Sequence, residues 1–453
     1  MMKILIAGNG KVGGTLAEEL SAEGYDLTII DTDSAVLEEV SEKYDVMTLL
    51  GNCASMKTLR EAGVEEADLL IAATGSDELN LLCCVTAHKM NPRLHTIARL
   101  RNPEYEEQAY SMQDEFALSL IFNPEKQTAV EIDRLLKYPG FLKRDAFAKG
   151  RVEIVELKIE EDSRLCGVSL FDMYKIIKCK VLVCTVLRDG VAIIPRGNFK
   201  LLEGDRIFVT ASSGDLALLL KNLGLTKHKI KNVMLAGGGM VGYYLARLLR
   251  AGRIGVRILE QDEDRCRKLA EMLPDVDIIQ GDAANRAVLD SEQLAGFDAL
   301  ISLTGIDEMN LIISLYGTSC GIPKVITKLG RMDDTALIES LPVGSVVSPR
   351  KLCCSNILRY VRALRNQAGA ALTIHSIAED QAEAIEFPVD ENTLHRGVPL
   401  KEMKIKKNVL VASITRGKSV EIAGGDSRFE VGDSVIIVAN GGDVILKLND
   451  IFE

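Results

Sequence analysis

Short apolar runs alternate with amphipathic stretches along the first part of the chain. Runs of this length are typical of buried strands, and the amphipathic stretches are typical of helices that cover them. The predicted strands are residues 3–7, 27–30, 46–50, 68–73 and 95–98, and the predicted helices include residues 15–20, 34–44 and 55–62. Strands that alternate with helices predict a doubly wound parallel sheet, in which ligands bind at the carboxyl ends of the strands.

A glycine-rich turn follows the first predicted strand. Gly8, Gly10 and Gly13 fit the pattern G-x-G-x-x-G. The first glycine permits a tight bend, the second lets backbone N–H groups approach a pyrophosphate, and the third lets the helix pack closely on the sheet. Asp31, at the end of the second strand, would accept hydrogen bonds from an adenosine ribose and repel a 2′-phosphate. The turn therefore predicts binding of NAD(H) rather than NADP(H), and the alternative is the same fold with an empty turn.

Other polar residues fall at the carboxyl ends of the later strands. Arg99 could pair its guanidinium with a phosphate oxygen, or form an ion pair at an interface or on the surface. Thr74 and Asp77 would shape the floor of the crevice, although Asp77 could instead cap the next helix. Asn80 and its copy Asn310 are expected to pack or cap rather than to bind a ligand.

The same order of motifs returns in the second half of the chain. A second G-x-G-x-x-G spans residues 237–242, and Glu260 stands opposite Asp31. The motif T-G-x-D-E-x-N occurs at residues 74–80 and again at 304–310. A repeat that holds its register over this length predicts a tandem of two similar halves. Gly238 is expected to loosen the second turn, so a degenerate structural copy is the alternative for that site.

Each predicted nucleotide domain is followed by different material. A helix opens near residue 122 and again near residue 347, and short β-rich segments follow both helices. The fold class is therefore α/β, with two Rossmann-like parallel-sheet domains that are each followed by a small α+β domain. The predicted boundaries are 1–121 for the first nucleotide domain, 122–150 for a crossover helix and linker, 151–228 for the first small domain, 229–346 for the second nucleotide domain, 347–378 for its crossover helix and linker, and 379–453 for the second small domain.

Composition and charge narrow the functional classes. The 453 residues are 47% hydrophobic and 26% charged, and the formal net charge is -11, which argues against a general nucleic-acid binder. The N-terminus leads directly into a strand, so no signal peptide is expected. No apolar run reaches the length that spans a bilayer, so any membrane association is expected to be peripheral.

An enzyme would need an acid, a base or a nucleophile beside the nicotinamide. None of the five histidines falls at the carboxyl end of a predicted strand. Tyr174 and Lys178 fit Y-x-x-x-K, but they belong to the first small domain. The ten cysteines lack zinc spacing, so no metal site is predicted, and a redox role for Cys53 is the alternative to simple burial. A NAD-dependent oxidoreductase of a small molecule is the alternative function.

The predicted nucleotide contacts combine the turns with the strand ends. In the first half they are Gly8, Asn9, Gly10, Lys11, Val12, Gly13, Asp31, Asn52, Cys53, Thr74, Asp77 and Arg99. In the second half they are Gly237, Gly239, Met240, Val241, Gly242, Glu260, Asp282, Ala283, Thr304 and Lys328. Lys328 stands where Arg99 stands, but it lacks the planar fork, so the second site would hold phosphate differently.

The four-part order of glycine turn, ribose acid, G-[ND] turn and T-G-x-D-E-x-N resembles the TrkA family over essentially the whole chain. Members of this family are peripheral nucleotide-binding subunits of bacterial Trk potassium uptake systems and are built of two RCK (KTN) units. The family often has Asp after the glycine at the third strand. Here the first half has Asn52, and the second half keeps Asp282.

The resemblance implies a cytoplasmic regulator that is peripheral to the inner face of the plasma membrane. It implies binding of NAD(H) and of ATP or ADP, a homo-oligomer (a dimer or a tetramer ring), and a membrane potassium transporter subunit of the TrkH or TrkG kind as the partner. We hypothesise that NADH and ATP compete, or act at distinct units, and so move the nucleotide domains against each other. The helices after Phe122 and at Pro349 are then candidate exchange or hinge elements between protomers.

Overall fold

The computed structural model describes residues 2–137, 140–225, 229–330, 338, 341–364, 371–378, 381–417, 419–440, 445 and 447–453. Two six-stranded parallel sheets and two five-stranded antiparallel sheets account for its strands. Each parallel sheet is followed in the chain by an antiparallel one. The predicted fold class is therefore confirmed.

The first parallel sheet has the strand order β3-β2-β1-β4-β5-β6. Its strands are β1 Lys3–Ala7, β2 Asp26–Asp31, β3 Met47–Leu50, β4 Leu69–Ala72, β5 His95–Arg99 and β6 Leu120–Phe122. Its helices are α1 Lys11–Ala22, α2 Ser34–Lys43, α3 Met56–Glu61, α4 Asp77–Met90 and α5 Pro103–Ser111. The strand order reverses between β1 and β4, so a ligand crevice opens beyond their carboxyl ends.

The crossover helix α6 Pro124–Lys137 leads into the first small domain. That domain has the strand order β10-β9-β11-β8-β7 and two helices. The elements are β7 Lys143–Phe147, β8 Val152–Lys158, α7 Leu170–Ile177, β9 Val181–Arg188, β10 Val191–Ile193, β11 Arg206–Ser212 and α8 Ser213–Leu223. Strand β7 lies within residues 122–150, which the sequence predicted as helix and linker. It joins the small sheet because it pairs with β8 along its whole length.

The second half repeats this plan, with the parallel order β14-β13-β12-β15-β16-β17 and the antiparallel order β18-β19-β22-β20-β21. The elements of its nucleotide domain are β12 Asn232–Ala236, α9 Met240–Ala251, β13 Gly255–Glu260, α10 Glu263–Met272, β14 Asp277–Gln280, α11 Arg286–Ser291, β15 Ala299–Ser302, α12 Asp307–Ser319, β16 Lys324–Lys328 and β17 Ser345–Val347. A second crossover helix, α13 Pro349–Leu364, precedes β18 Thr373–Ile377, β19 Ala382–Pro388, β20 Val409–Arg416, β21 Ser419–Ile422 and β22 Ser434–Asn440. Short 3-10 turns, Leu400–Glu402 and Leu448–Ile451, also lie in this second small domain.

The two crossover helices are exchanged between the halves. Ile132 and Leu135 of α6 are buried in the core of the second nucleotide domain, against α9. Ile357 and Val361 of α13 are buried in the core of the first, against α1. Each fully buried side chain of this size contributes about 1.5–3 kcal/mol. The exchange joins two halves of one chain, whereas the sequence analysis placed it between protomers.

The two small sheets also pack against each other. Phe147 and Phe208 of the first lie in one buried cluster with Ala384 and Ile436 of the second. The helix exchange is reciprocal, and equivalent sheets meet at this contact. The two halves are therefore arranged about an approximate twofold axis. Among the described residues, no helix has both the length and the apolar character that a membrane span needs.

Candidate nucleotide sites

The first glycine turn is held tightly against the sheet. Gly8 has φ +92°, and a Cβ there would lie 2.9 Å from the Thr74 Cα. A Cβ on Gly13 would lie 1.9 Å from the Gly8 carbonyl oxygen. A Cβ on Gly10, by contrast, would meet no atom within 4 Å. The turn therefore needs glycine for packing at its two ends and leaves open space at its middle glycine.

That open space lies at the start of α1. Gly10 is the N-cap residue of α1 and gives no side-chain cap, and Gly239 does the same for α9. The first backbone N–H groups of a helix lack partners within the helix, and they attract anions. Both glycine turns therefore present helix N-termini to a ligand. Among the described residues there is no cluster of side chains suited to a metal ion.

Asp31 stands beside this turn. Its Oδ2 accepts a hydrogen bond of 2.6 Å from the Asn9 backbone N–H, and its Oδ1 accepts one of 2.7 Å from the Thr32 N–H. A carboxylate can accept about four hydrogen bonds, so Asp31 can accept more from a ribose. The Asn9 Oδ1 atom is buried and has no hydrogen-bond partner among the described residues. Both residues fit a ligand that brings hydroxyl or amide donors.

The side chains of the other predicted contacts in the first half differ in their exposure. Val12 and Cys53 are buried, while Lys11 is exposed. Asn52 shapes its own loop, because its Oδ1 accepts a hydrogen bond of 2.9 Å from the Ala54 N–H. A hydrogen bond from a neighbouring cysteine, Cys83, lowers the pKa of the Cys53 thiol.

A hydrogen-bond network joins the ends of β4 and β5. The Thr74 N–H and hydroxyl both donate to Asn80 Oδ1, at 2.9 and 2.7 Å. The Asn80 amide donates in turn to the Arg99 carbonyl oxygen at 2.9 Å. Asn80 is therefore a buried packing residue that ties Thr74 at the end of β4 to Arg99 at the end of β5.

Asp77 does not cap the next helix. Ser76 is the N-cap of α4, and its hydroxyl accepts from the Leu79 N–H. The Asp77 carboxylate is buried and accepts hydrogen bonds of 2.8 Å from the N–H groups of Arg101 and Asn102. The capping alternative for Asp77 is therefore wrong, because Ser76 precedes it in the turn. Asp77 instead fastens the loop that follows β5.

Arg99 forms an ion pair at the carboxyl end of β5. Its Nη2 lies 3.0 Å from the Glu125 Oε1 at the start of α6, and both side chains are largely buried. The buried Arg99 Nε and Glu125 Oε2 have no hydrogen-bond partner among the described residues. The structure thus realises the ion-pair alternative for Arg99 and leaves hydrogen-bonding capacity on both partners.

The second glycine turn repeats the geometry of the first. Gly237 has φ +117°, a Cβ on Gly242 would lie 2.7 Å from the Gly237 oxygen, and a Cβ on Gly239 would meet nothing within 4 Å. Glu260 is only 5% exposed, and its Oε2 accepts a hydrogen bond of 2.9 Å from the Gly238 N–H. Glu260 and Asp31 therefore hold their turns in the same way.

Gly238 is closely packed in this turn. It is buried, and a Cβ there would lie 2.5 Å from Leu269 Cδ1 and 3.2 Å from the Glu260 Cβ. A side chain at this position would therefore have to displace the end of Leu269. Arg265 adds a second difference from the first site, since its Nη1 lies 3.4 Å from the Glu260 Oε2.

The remaining residues of the second site follow the first, apart from Lys328. Asp282 Oδ1 accepts from the Ala284 N–H at 2.9 Å, as Asn52 does from Ala54, so the Asn/Asp difference leaves this turn unchanged. The Thr304 N–H donates to Asn310 Oδ1, and the Asn310 amide donates to the Lys328 carbonyl oxygen. The side chains of Val241 and Ala283 are buried, and Met240 is half-buried.

Lys328 lies in the position of Arg99 but has other partners. Its Nζ donates to the Leu303 carbonyl oxygen at 3.2 Å, and burial lowers its pKa. The charges of Lys11 and Glu125, from the first half, also act on this pKa. Lys328 of the second half is therefore within electrostatic range of charged residues of the first half.

The sequence analysis missed the residues that join the two sites. Tyr244, on α9 behind the second glycine turn, accepts a hydrogen bond from the Asn123 amide at 3.0 Å and donates to the Arg101 carbonyl oxygen at 3.1 Å. The Arg101 N–H is bound to Asp77 of the first site. No local pattern marks Tyr244, because its partners lie more than a hundred residues away in the chain.

Family models now bear on this geometry. The TrkA-N domain model matches residues 4–119 and 233–349, and the TrkA-C domain model matches residues 154–224 and 384–452. The chain belongs to the TrkA family. The matches fall on the two nucleotide domains and the two small domains, and the suspected resemblance is confirmed.

Individual TrkA relatives match over their full length. The chain is 33% identical over 451 residues to the Trk system potassium uptake protein TrkA homolog of Archaeoglobus fulgidus, covering 100% of both chains. It is 30% identical over 460 residues to the Trk system potassium uptake protein TrkA of Haemophilus influenzae, covering 100% of this chain and 99% of the relative.

Solved structures show the same fold at low sequence identity. The RCK domain of GsuK superposes with a TM-score of 0.62 at 15% identity, covering 97% of this chain and 92% of that one. The GsuK channel bound to NAD superposes with a TM-score of 0.61 at 16% identity, covering 97% and 77%. These similarities show that the chain has the same overall fold as the GsuK RCK structure.

Proposed function

We propose that this chain is a nucleotide-sensing regulatory subunit that gates potassium uptake through a membrane Trk-type transporter. It would bind NAD(H), and ATP or ADP, and act as a homo-oligomer at the inner face of the plasma membrane. The names of the TrkA relatives support this assignment, and so does the NAD bound to the GsuK channel, which shares the fold. The proposed regulatory function does not require that the protein catalyse a reaction.

The observation that carries the proposal is that the two nucleotide domains each have an open glycine turn and exchange their crossover helices. The α13 helix of the second half packs on α1, directly behind the first turn, where the Cys354 thiol lies 4.0 Å from the Val12 carbonyl oxygen. A ligand that pulls on α1 therefore acts on the second half as well. A nucleotide gates only if it binds one arrangement of the halves better than another.

Within each turn, the residues have separate roles. The open N-termini at Gly10 and Gly239 would hold phosphate, while Asp31 and Glu260 would bind ribose. Arg99 and Glu125 could exchange their ion pair for contacts to a ligand, which changes how α6 is held to β5. Since α6 packs on the second nucleotide domain, this exchange would transmit binding at one site to the other half.

The residues considered as proton donors for the oxidoreductase alternative lie away from the candidate nucleotide sites in the part of the chain that the structure describes. Tyr174 and Lys178 lie on α7 and at its end, in the first small domain, and are exposed. The His88 ring contacts the Leu94 carbonyl oxygen, and the His395 ring packs edge-on against Phe452. None of the histidines that the structure describes lies at the carboxyl end of a parallel strand, and His228 lies outside the described residues.

Calorimetry on the purified full chain tests nucleotide binding. We expect Gly10→Ala to abolish binding of NADH at the first site, because its Cβ enters the open space without touching the protein. Asp31→Ala should weaken the binding of NADH by about tenfold or more, because it removes one or two charge-assisted hydrogen bonds. Glu38→Ala, an exposed acid on α2, is the matched control. Unchanged affinity in both site variants would refute the site.

Potassium flux tests the regulatory role. A membrane Trk transporter reconstituted in vesicles should show potassium flux that depends on this chain and changes when NADH or ATP is added. The change should disappear with Gly10→Ala and Gly239→Ala combined, while the chain still co-purifies with the transporter. If neither the chain nor the nucleotides change the potassium flux, the gating role is excluded. NADH turnover with a small-molecule substrate would favour the oxidoreductase.

A further inference from the structure

Two aromatic side chains stand exposed on one face of the first small domain. Phe171 and Tyr174, in the first turns of α7, are 76% and 61% exposed, and Phe171 is the most exposed of the large hydrophobic residues that the structure describes. The Phe171 ring rests on Gly197, where a Cβ would lie 2.5 Å from the ring. The Phe171 N–H donates to the Gly197 carbonyl oxygen at 2.8 Å. The ring is thus fixed at its base and open above.

Cations surround this pair. Exposed lysines and an arginine lie on α7, after it, and on the segment that runs antiparallel to its start: Lys175, Lys178, Lys180, Arg196 and Lys200. Residues 169–200 contain six Lys or Arg and two Asp or Glu, whereas the whole chain carries a net charge of -11. One of the two acids, Asp172, already pairs with Lys175 at 2.7 Å. The face, defined by these five cations with Phe171 and Tyr174, is locally cationic on an acidic protein.

The second small domain lacks this face. The strands β9 and β20 correspond, as do the pairs Arg188–Asp205 and Arg416–Asp433, each a two-pronged ion pair. At the start of α7 the hydrogen bonds fix the correspondence, because the Lys401 N–H donates to the Gly425 carbonyl oxygen as the Phe171 N–H donates to that of Gly197. Lys401 and Lys404 therefore stand where Phe171 and Tyr174 stand. The segment itself also differs, because Leu400–Glu402 forms only a 3-10 turn where the first small domain has α7. The exposed aromatic pair therefore belongs to the first half alone.

We propose that this aromatic and cationic face binds directly to an anionic phospholipid bilayer. Aromatic rings favour the interface between headgroups and acyl chains, and lysines beside them gain from the negative surface potential. Since only one half carries the face, it would give the chain a defined orientation toward the membrane. The proposal does not depend on nucleotide binding, so its failure would leave the nucleotide sites untouched.

Vesicle flotation tests the proposal with the full chain. We expect binding to phosphatidylcholine vesicles that contain phosphatidylglycerol, no binding to phosphatidylcholine alone, and weakening by salt. The double variant F171S/Y174S should bind about tenfold more weakly or worse. K178Q/K180Q should lose about fivefold per cation. K404Q/K407Q, which removes two exposed lysines of the second small domain, is the matched control and should bind normally.

The chain contains no tryptophan, so one can be introduced as a reporter. Trp emission of F171W should shift to shorter wavelength with anionic vesicles, and that of Y110W, at an exposed position on α5, should not. Absence of anionic-vesicle binding, or full binding by F171S/Y174S, would overturn the proposal. A smaller assembly mass for F171S/Y174S in solution would also overturn it, because the face would then be a contact between proteins.

Discussion

Asp145 and His375 occupy equivalent positions on β7 and β18 and contact each other, with 3.4 Å between Asp145 Oδ1 and His375 Nδ1. Equivalent residues meet where the approximate twofold axis passes between the small sheets. In a dimer of identical chains, the same residue would face its own copy, and two aspartates there would repel each other. The tandem chain avoids this repulsion because its two equivalent positions can hold different residues.

The pH dependence of stability is expected to come partly from Glu131, on α6 beside this junction. Burial, and then the charge of Asp145, raise its pKa from 4.5 to about 7. A carboxyl with a raised pKa contributes stability below pH 4.5 and loses that contribution as pH rises through about 7. Glu131→Gln should therefore remove a decline of roughly 2–3 kcal/mol in the free energy of unfolding. Urea unfolding across this pH range measures it.

The control for this experiment is Glu38→Gln, an exposed acid on α2, which should leave the pH profile as in the parent chain. Parallel pH profiles for the parent and Glu131→Gln would show that folding does not raise the pKa of Glu131. Arg134, Lys143 and Arg144 lower the pKa of Glu131, so their presence already limits the shift.

The Tyr244 hydroxyl is expected to stabilise the junction between the nucleotide domains. Tyr244→Phe removes its bonds to the buried Asn123 amide and to the Arg101 carbonyl oxygen, and leaves the ring in place. A buried polar group without a partner costs about 1–3 kcal/mol. Tyr243→Phe, the neighbour whose hydroxyl accepts from the exposed Arg247, should cost less than half as much. Equal losses in thermal unfolding would contradict this role for Tyr244.

Neighbouring glycines of α1 should respond oppositely to alanine. Gly13→Ala places a Cβ 1.9 Å from the Gly8 oxygen, so we expect at least about 1–3 kcal/mol of destabilisation. Gly14→Ala meets nothing closer than 3.6 Å, and alanine is favoured over glycine inside a helix by about 0.5–1 kcal/mol. Chemical denaturation compares the two. Gly13→Ala as stable as the parent would mean that the turn is not packed as described.

Because α6 is exchanged, a substitution in its buried face should destabilise the second nucleotide domain. Ile132→Ala should cost about 2–5 kcal/mol and increase hydrogen exchange in α9 and β12 of the second nucleotide domain, although Ile132 belongs to the first half. Lys137→Ala, at an exposed position of the same helix, should change little. Faster exchange confined to the first nucleotide domain would argue against the exchange.

Much of the fold was predictable because its signals are local. The glycine turns, the alternation of strands and helices, and the repeat follow from residues that are close in sequence, and the expected strands of the first nucleotide domain form. The position of β7 was missed because its short segment pairs with a strand of the following domain. Arg99 could not be assigned one partner from sequence, since Glu125 reaches it only through the fold.

The sequence by itself determined the two nucleotide folds, their order and the identity of their turns. Gly8 and Gly237 must adopt positive φ, and Asp31 and Glu260 must end the second strands, whatever surrounds them. Only the tertiary structure decided which half each crossover helix serves, that Ser76 rather than Asp77 caps α4, and that Tyr244 joins the two sites. These choices depend on contacts between separate elements. Asp77 is held by the backbone after β5, and the partners of Tyr244 lie more than a hundred residues away, where no periodic signal marks the contact.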